Sequence, residues 1–366
     1  MEFNDFAEEL LKMRDRDLAL RRKLEEAGRL DSGYDPEMER LHRENAARLE
    51  AWIDRNGFPT ARRVGNEAAD AAWLIVQHAI GNPRLMKRVA ALLRALPAGE
   101  DDPRHPAYLE DRIAMYEGRP QQYGTQFEWN ENGILTPALH DAPERVDARR
   151  RALGLPTLAE TTRNFRNSQR TVPDPETRAG HRASCRQWLA ETGWRKPRPR
   201  IGISSCLLGR PVRYDGRHKY DGIVVEALSE VVEWVEFCPE TGCGLPVPRE
   251  PVHLTGDPAA PRLETGSGEP GPNLPMDEYC RRRIEELKQE KPAGFLFKSK
   301  SPSCGLCVNV HGGRGEILGK APGLFAAACK KAFPELPVAE SDELHDPAVL
   351  AQWKDRLERM REDFSR

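Results

Sequence analysis

Apolar residues recur at helical spacing through the first part of the chain. Between Asn4 and Ala27, Phe6, Leu10, Met13, Leu18, Leu20 and Leu24 stand among many charges, which predicts an amphipathic helix with a solvated face. Asp35-Pro36 then offers a capping side chain followed by a residue suited to a first turn. Met38, Leu41, Leu49 and Ile53 continue the stripe until Asn56-Gly57 and Pro59 stop it. Ala68 to Ile80 is the most apolar run of this half. Asn82-Pro83 starts a helix that ends before Pro97, and Pro106 to Glu117 reads as a shorter one. At Tyr123 to Trp129 the period changes, and a turn at Asn132-Gly133 with Ile134 onward predicts a hairpin. Pro143 to Leu153 returns to helix. Residues 1–160 are therefore expected to form a mainly α accessory domain.

Residues 161–199 are rich in Arg, Pro, Thr and Ser and read as a linker carrying one short helix at Arg182 to Glu191. From residue 200 the pattern alternates. Strands are predicted at Arg200–Ser204, Trp234–Phe237 and Gly294–Lys298, with a candidate fourth at Val308–His311. Helices are predicted at Asp221–Val231, Met276–Lys288, Leu324–Phe333 and Pro347–Glu362, and 255–274 reads as a Pro/Gly-rich loop. Such alternation predicts an α/β domain over 200–366, with a mainly parallel sheet flanked by helices.

Composition narrows the function classes. The 366 residues hold 56 Lys plus Arg against 58 Asp plus Glu, a net charge of -2, so no nucleic-acid partner is indicated. No apolar run is long enough to span a membrane. The acidic, polar Met1 to Glu9 does not read as a signal peptide, and the expected location is cytoplasmic. All eight cysteines lie after residue 180. In a chain without a secretion signal, metal or catalytic roles gain weight over disulfides.

Cys206, Cys238 and Cys304 each follow a predicted strand, and open α/β sheets bind ligands beyond the carboxyl ends of their strands. Three thiolates suit an iron–sulfur cluster or a catalytic metal with one open position, not a complete structural zinc site. Small core cysteines are the plainer alternative. The spacings Cys238-x4-Cys243 and Cys304-x2-Cys307 also permit a four-cysteine zinc site. Cys185, Cys280 and Cys329 read as structural.

The C-terminal half closely resembles the thiouracil desulfidase family. The matching motifs are Ile203-Ser204-Ser205-Cys206-Leu207-Leu208-Gly209, Val212-Arg213-Tyr214-Asp215-Gly216, Cys238-Pro239-Glu240, Pro248-Arg249, Lys298-Ser299-Lys300-Ser301-Pro302-Ser303-Cys304-Gly305 and Gly323-Leu324-Phe325-Ala326-Ala327. The resemblance covers about residues 199–345. It implies an oxygen-sensitive [4Fe-4S] cluster held by Cys206, Cys238 and Cys304, with a fourth iron that takes sulfur from a thiolated nucleobase or nucleoside. It further implies a catalytic carboxylate at Glu240 and a catalytic serine at Ser301. Cys243 and Cys307 depart from the family's pattern.

Each of these residues also has a plainer role. Glu240 sits two residues from a cysteine and is placed to act as a base, or to pair with Arg249. Ser301 orients substrate, or caps the turn before Pro302. Arg213, Asp215, His218 and Lys219 line a pocket or form a solvated loop. Lys298 and Lys300 attract an anionic substrate or are exposed. In the first half, Trp73 to His78 and Tyr123 to Gln126 resemble an uncharacterised bacterial domain family. His78 reads as a hydrogen-bonded core histidine, with Gln126 as a candidate partner. Three function classes follow: an iron–sulfur desulfidase, a zinc-stabilised binding or regulatory module, and a cysteine-based redox or persulfide-handling protein.

Overall fold

The computed structural model describes the chain apart from residues 1–2, 31–32, 131–132, 169–171, 173 and 364–366. Its contacts group into two compact units, Met1–Lys196 and Pro197–Arg366. Asn132, half of the expected hairpin turn, lies outside the described residues.

The first unit is mainly helical. It runs α1 Phe3–Glu26, α2 Pro36–Asn56, α3 Ala61–Val64, α4 Asn66–His78, α5 Pro83–Arg94, α6 Arg104–Glu117, a two-stranded antiparallel hairpin of β1 Phe127–Trp129 and β2 Leu135–Pro137, then α7 Pro143–Ala152, α8 Leu158–Ser168 and α9 Pro175–Glu191. Caps begin the helices as the sequence predicts: Asp35 accepts from the backbone of Glu37 and Met38, and Asn82 from Leu85. The stretch expected as linker is instead largely helical. Leu189 and Trp194 are buried in the first unit's core, and the Trp194 indole donates to the carbonyl of Ile80, so α9 and the residues that directly follow it are structure of that unit. Its Arg-rich composition masked a few large apolar anchors. On α1 the buried stripe is Phe6, Leu10, Met13, Asp17 and Leu24, whereas Leu18 is exposed. A carboxylate thus occupies a core position of the helical period.

The second unit runs β3 Arg200–Ser204, α10 Gly222–Leu228, β4 Glu233–Phe237, α11 Pro239–Gly242, β5 Val252–Thr255, β6 Arg262–Thr265, α12 Asn273–Glu290, β7 Gly294–Phe297, β8 Val308–His311, β9 Ile317–Ala321, α13 Leu324–Ala332, β10 Val338–Glu340 and α14 Pro347–Asp363. Strands β10-β7-β3-β4 form an all-parallel sheet, as the alternation predicts. Val308–His311 is a strand, but it belongs to a second, mixed sheet in the order β6-β5-β8-β9, and the fourth parallel strand is β10. The expected loop 255–274 contains β6. Strands β5, β6 and β9 did not stand out because each is only four or five residues long and is anchored by one core residue, Leu254, Leu263 or Ala321. Among the described residues no helix is long and apolar enough to cross a membrane.

Candidate active site at the ends of three parallel strands

Because β7, β3 and β4 are adjacent and parallel, their carboxyl ends open on one edge of the sheet. Cys206 sits in the 3-10 turn that follows β3, Cys238 directly follows β4, and Cys304 lies in the loop after β7. Cys206 is 9% exposed and Cys304 is 5% exposed. The three thiols act on one another electrostatically. Burial first, then the neighbouring Cys238, push the Cys206 thiol up to about 12, while Lys298 and Arg213 pull the other way. Burial pushes Cys238 up to about 11, against hydrogen bonds from Thr241. Cys304 is held well above the ordinary thiol range by burial, partly offset by a hydrogen bond with Ser204 and reinforced by Cys238 and Cys206.

The loop carrying Cys304 is fixed by close backbone packing. Gly305 N–H donates to the Ser301 carbonyl (2.7 Å), Gly323 N–H to the Gly305 carbonyl (2.7 Å), and Leu306 N–H to Glu340 Oε1 on β10 (2.6 Å). A Cβ on Gly323 would stand 2.6 Å from the Ser303 carbonyl carbon, and one on Gly305 would stand 2.9 Å from Ser301 N. Neither backbone position can yield without moving the cysteine. Gly323→Ala is therefore expected to lower stability by about 1–3 kcal/mol and to reduce iron loading. Thermal unfolding and iron analysis check this; normal iron content would show that the loop tolerates displacement.

A hydrogen-bonded chain runs beside the cysteines. Glu240 Oε2 accepts from Arg249 Nε (3.0 Å) and Nη2 (2.6 Å), and Glu240 Oε1 accepts from Ser303 Oγ (2.8 Å). Ser301 Oγ lies 3.2 Å from Ser303 Oγ and accepts from the Cys304 N–H (3.2 Å). A hydroxyl has one proton, and that of Ser303 goes to the carboxylate, so Ser301 donates to Ser303. Ser301 Oγ then keeps one lone pair for another donor. Arg249 also donates to the carbonyls of Val212 (3.0 Å) and Pro246 (3.1 Å), fastening the loop after Cys206 to the carboxylate.

Both plainer roles foreseen for Glu240 and Ser301 are present: the ion pair with Arg249 and the turn cap. Ser303 and Ser204 lie within the family motifs without a role read for them from the sequence; their signal was proximity to Cys304 and Cys206. Asp215 accepts from the Arg217 N–H (3.0 Å) and lies 3.6 Å from Arg213 Nε, and His218 Nδ1 accepts from the Tyr220 N–H (3.2 Å), so this stretch is internally bonded loop. Lys298 donates to the Ser299 carbonyl (2.7 Å). Lys300 takes a left-handed φ of 60°.

The donor set fits a cluster better than a single ion. Four thiolates around zinc stand roughly 3.8 Å apart at a 2.3 Å metal–sulfur distance. Among the described residues, no three cysteine sulfurs lie within 4.8 Å of one another. Cys243 donates to the Glu240 carbonyl (3.2 Å), and Cys307 is exposed. The geometry therefore does not offer the Cys238-Cys243-Cys304-Cys307 zinc site. Burial raises the free thiols of Cys206, Cys238, Cys243 and Cys304, which disfavours the thiolate that thiol exchange needs at these four positions. Three soft thiols at wider spacing, two of them buried and Cys238 partly so, suit an iron–sulfur cluster with one iron free of protein ligands.

Residues 201–341 match the 2-thiouracil desulfurase family, and residues 4–170 match a family of unknown function (DUF6624). No curated protein matches the chain. Among solved structures, a [4Fe-4S]-dependent thiouracil desulfidase, TudS, is 27% identical, covering 42% of this chain and 99% of its own, with a TM-score of 0.33.

Proposed function

From the match of residues 201–341 to the 2-thiouracil desulfurase family, we propose that the second unit is a [4Fe-4S]-dependent desulfidase that removes sulfur from a thiolated pyrimidine. The observation that carries this reading is the set of three thiols at the ends of adjacent parallel strands, Cys206 and Cys304 buried and Cys238 partly so, beside a hydrogen-bonded carboxylate.

Cys206, Cys238 and Cys304 hold the cluster. When bound, it supplies an iron that accepts a soft thiocarbonyl sulfur and polarises the carbon–sulfur bond. The protein's own groups manage the water. Its oxygen bonds to the thiocarbonyl carbon, the carbon–sulfur bond breaks, and sulfur leaves as hydrosulfide, with no net change of oxidation state. The open lone pair on Ser301 takes the water's proton as Ser301 passes its own to Ser303 and Ser303 passes its own to Glu240 Oε1. Arg249 positions that carboxylate through two donors on the opposite oxygen.

The test is anaerobic reconstitution of the full chain with iron and sulfide, followed by incubation with 2-thiouracil. Release of hydrosulfide and uracil in equal amounts is expected, dependent on bound iron. Protein that carries iron and inorganic sulfide yet leaves 2-thiouracil and its 4-thio isomer unchanged would place the substrate outside thiolated pyrimidines.

A further inference from the structure

The first unit holds a second group of ligand-type side chains, unrelated to the cysteines. Asp17 on α1, His42 on α2 and His78 at the end of α4 meet where these three helices pack together. One atom from each, the Asp17 carboxylate oxygen and a nitrogen of each imidazole, lie within 4.8 Å of one another. Asp17 Oδ2 is 2.8 Å from His78 Nδ1 and 3.2 Å from His42 Nε2. Ligands held at 2.0–2.1 Å around one metal ion stand roughly 3 Å apart, so this is already coordination spacing.

The polar bookkeeping of the cluster is incomplete. Asp17 is 1% exposed and its Oδ1 has no hydrogen bond among the described residues; neither has His42 Nε2, whose approach to Oδ2 lacks hydrogen-bond geometry. Buried polar atoms left in that state are costly unless a partner satisfies them. Tyr34 Oη bonds His42 Nδ1 at 2.7 Å, the outer-shell contact that fixes a metal-ligating imidazole. The nearby Arg112 guanidinium is occupied by Gln126 Oε1 (3.0 Å) and the Gln77 carbonyl (2.7 Å). Gln126 thus pairs with Arg112, not with His78 as the sequence suggested.

We propose that Asp17, His42 and His78 bind a divalent first-row transition-metal ion. Two imidazoles and one carboxylate from facing helices leave coordination positions open, as in zinc or non-haem iron sites that bind water or substrate. His78, at 15% side-chain exposure, is the ligand nearest solvent.

The experiment uses the full chain, stripped of metal with a chelator and titrated anaerobically with Co²⁺. Expected is one equivalent with weak visible d–d bands of a nitrogen/oxygen site, distinct from any thiolate-to-metal charge transfer that the cysteines contribute. That signal should persist in Cys304→Ser, disappear in His78→Ala with unchanged circular dichroism, and require about 10–100-fold more Co²⁺ in Tyr34→Phe. Independently of any variant, two histidine ring systems of the wild-type chain should show hyperfine-shifted proton resonances. Absence of shifted histidine signals, or a nitrogen/oxygen-type Co²⁺ spectrum that His78→Ala leaves intact, would overturn the site and leave the cluster as a purely structural junction.

Discussion

Glu240→Gln should cut hydrosulfide release from 2-thiouracil by about 10²–10⁴-fold while iron and inorganic sulfide stay at wild-type levels. The substitution keeps the side chain's size and an acceptor for Ser303 but removes the proposed base at the end of the serine chain. It also weakens a well-enclosed ion pair, since the side chains of Arg249 and Glu240 are 5% and 14% exposed. Breaking such a pair typically costs about 3–5 kcal/mol, so a lower thermal midpoint is expected as well. The two effects separate cleanly. A structural carboxylate would show lower stability with kcat intact at a permissive temperature. A base would show kcat lost in protein that is still folded and loaded. Ser303→Ala interrupts the same chain one atom earlier and should reproduce the loss of kcat with the Arg249 pair preserved. Full turnover in both variants would remove the chain from the reaction.

The second large effect is on cofactor content. Cys206→Ser, Cys238→Ser and Cys304→Ser should each lose most bound iron, whereas Cys243→Ser and Cys307→Ser should keep it. Each of the first three thiols lies beyond one of three neighbouring strands and faces the other two electrostatically. Cys243 instead donates to the Glu240 carbonyl and Cys307 faces solvent. Iron and sulfide assays on anaerobically reconstituted variants decide the matter. Iron lost in Cys307→Ser but retained in Cys206→Ser would mean a different ligand set.

Much of the second unit was legible because its chemistry is punctuated by sequence: a strand, then a cysteine, then Gly, Pro or Ser. The partnership between distant segments was not. The Glu240–Arg249 pair was foreseen, but that Arg249 would also reach back to Val212, or that Glu240 would meet Ser303, depends on how loops fold over the sheet edge. Most of the second sheet escaped because β5, β6 and β9 are only four or five residues long and each carries a single buried residue, too little to set a strand period. In the first unit, the helices followed from period and caps, but the buried cluster did not. Leu18 and Leu20 looked like the continuation of the α1 stripe, whereas the position after Met13 that faces inward is Asp17. A charged residue in register with the core was the available signal. The expected linker hid its structure in the same way, through two aromatic and aliphatic anchors among arginines.

The contact from Leu306 to Glu340 sets an order of events during synthesis. The loop bearing Cys304 is pinned at one side by Gly323 and at another by β10, both of which leave the ribosome after all three cysteines. At about 5–20 residues per second, Glu340 follows Cys206 by on the order of ten seconds. During that interval the first two thiols lack the framework that places the third. On the proposed function, the framework that places Cys304 is complete only after the whole parallel sheet has been translated, and an iron donor acting on nascent chains would meet thiols that are not yet held together.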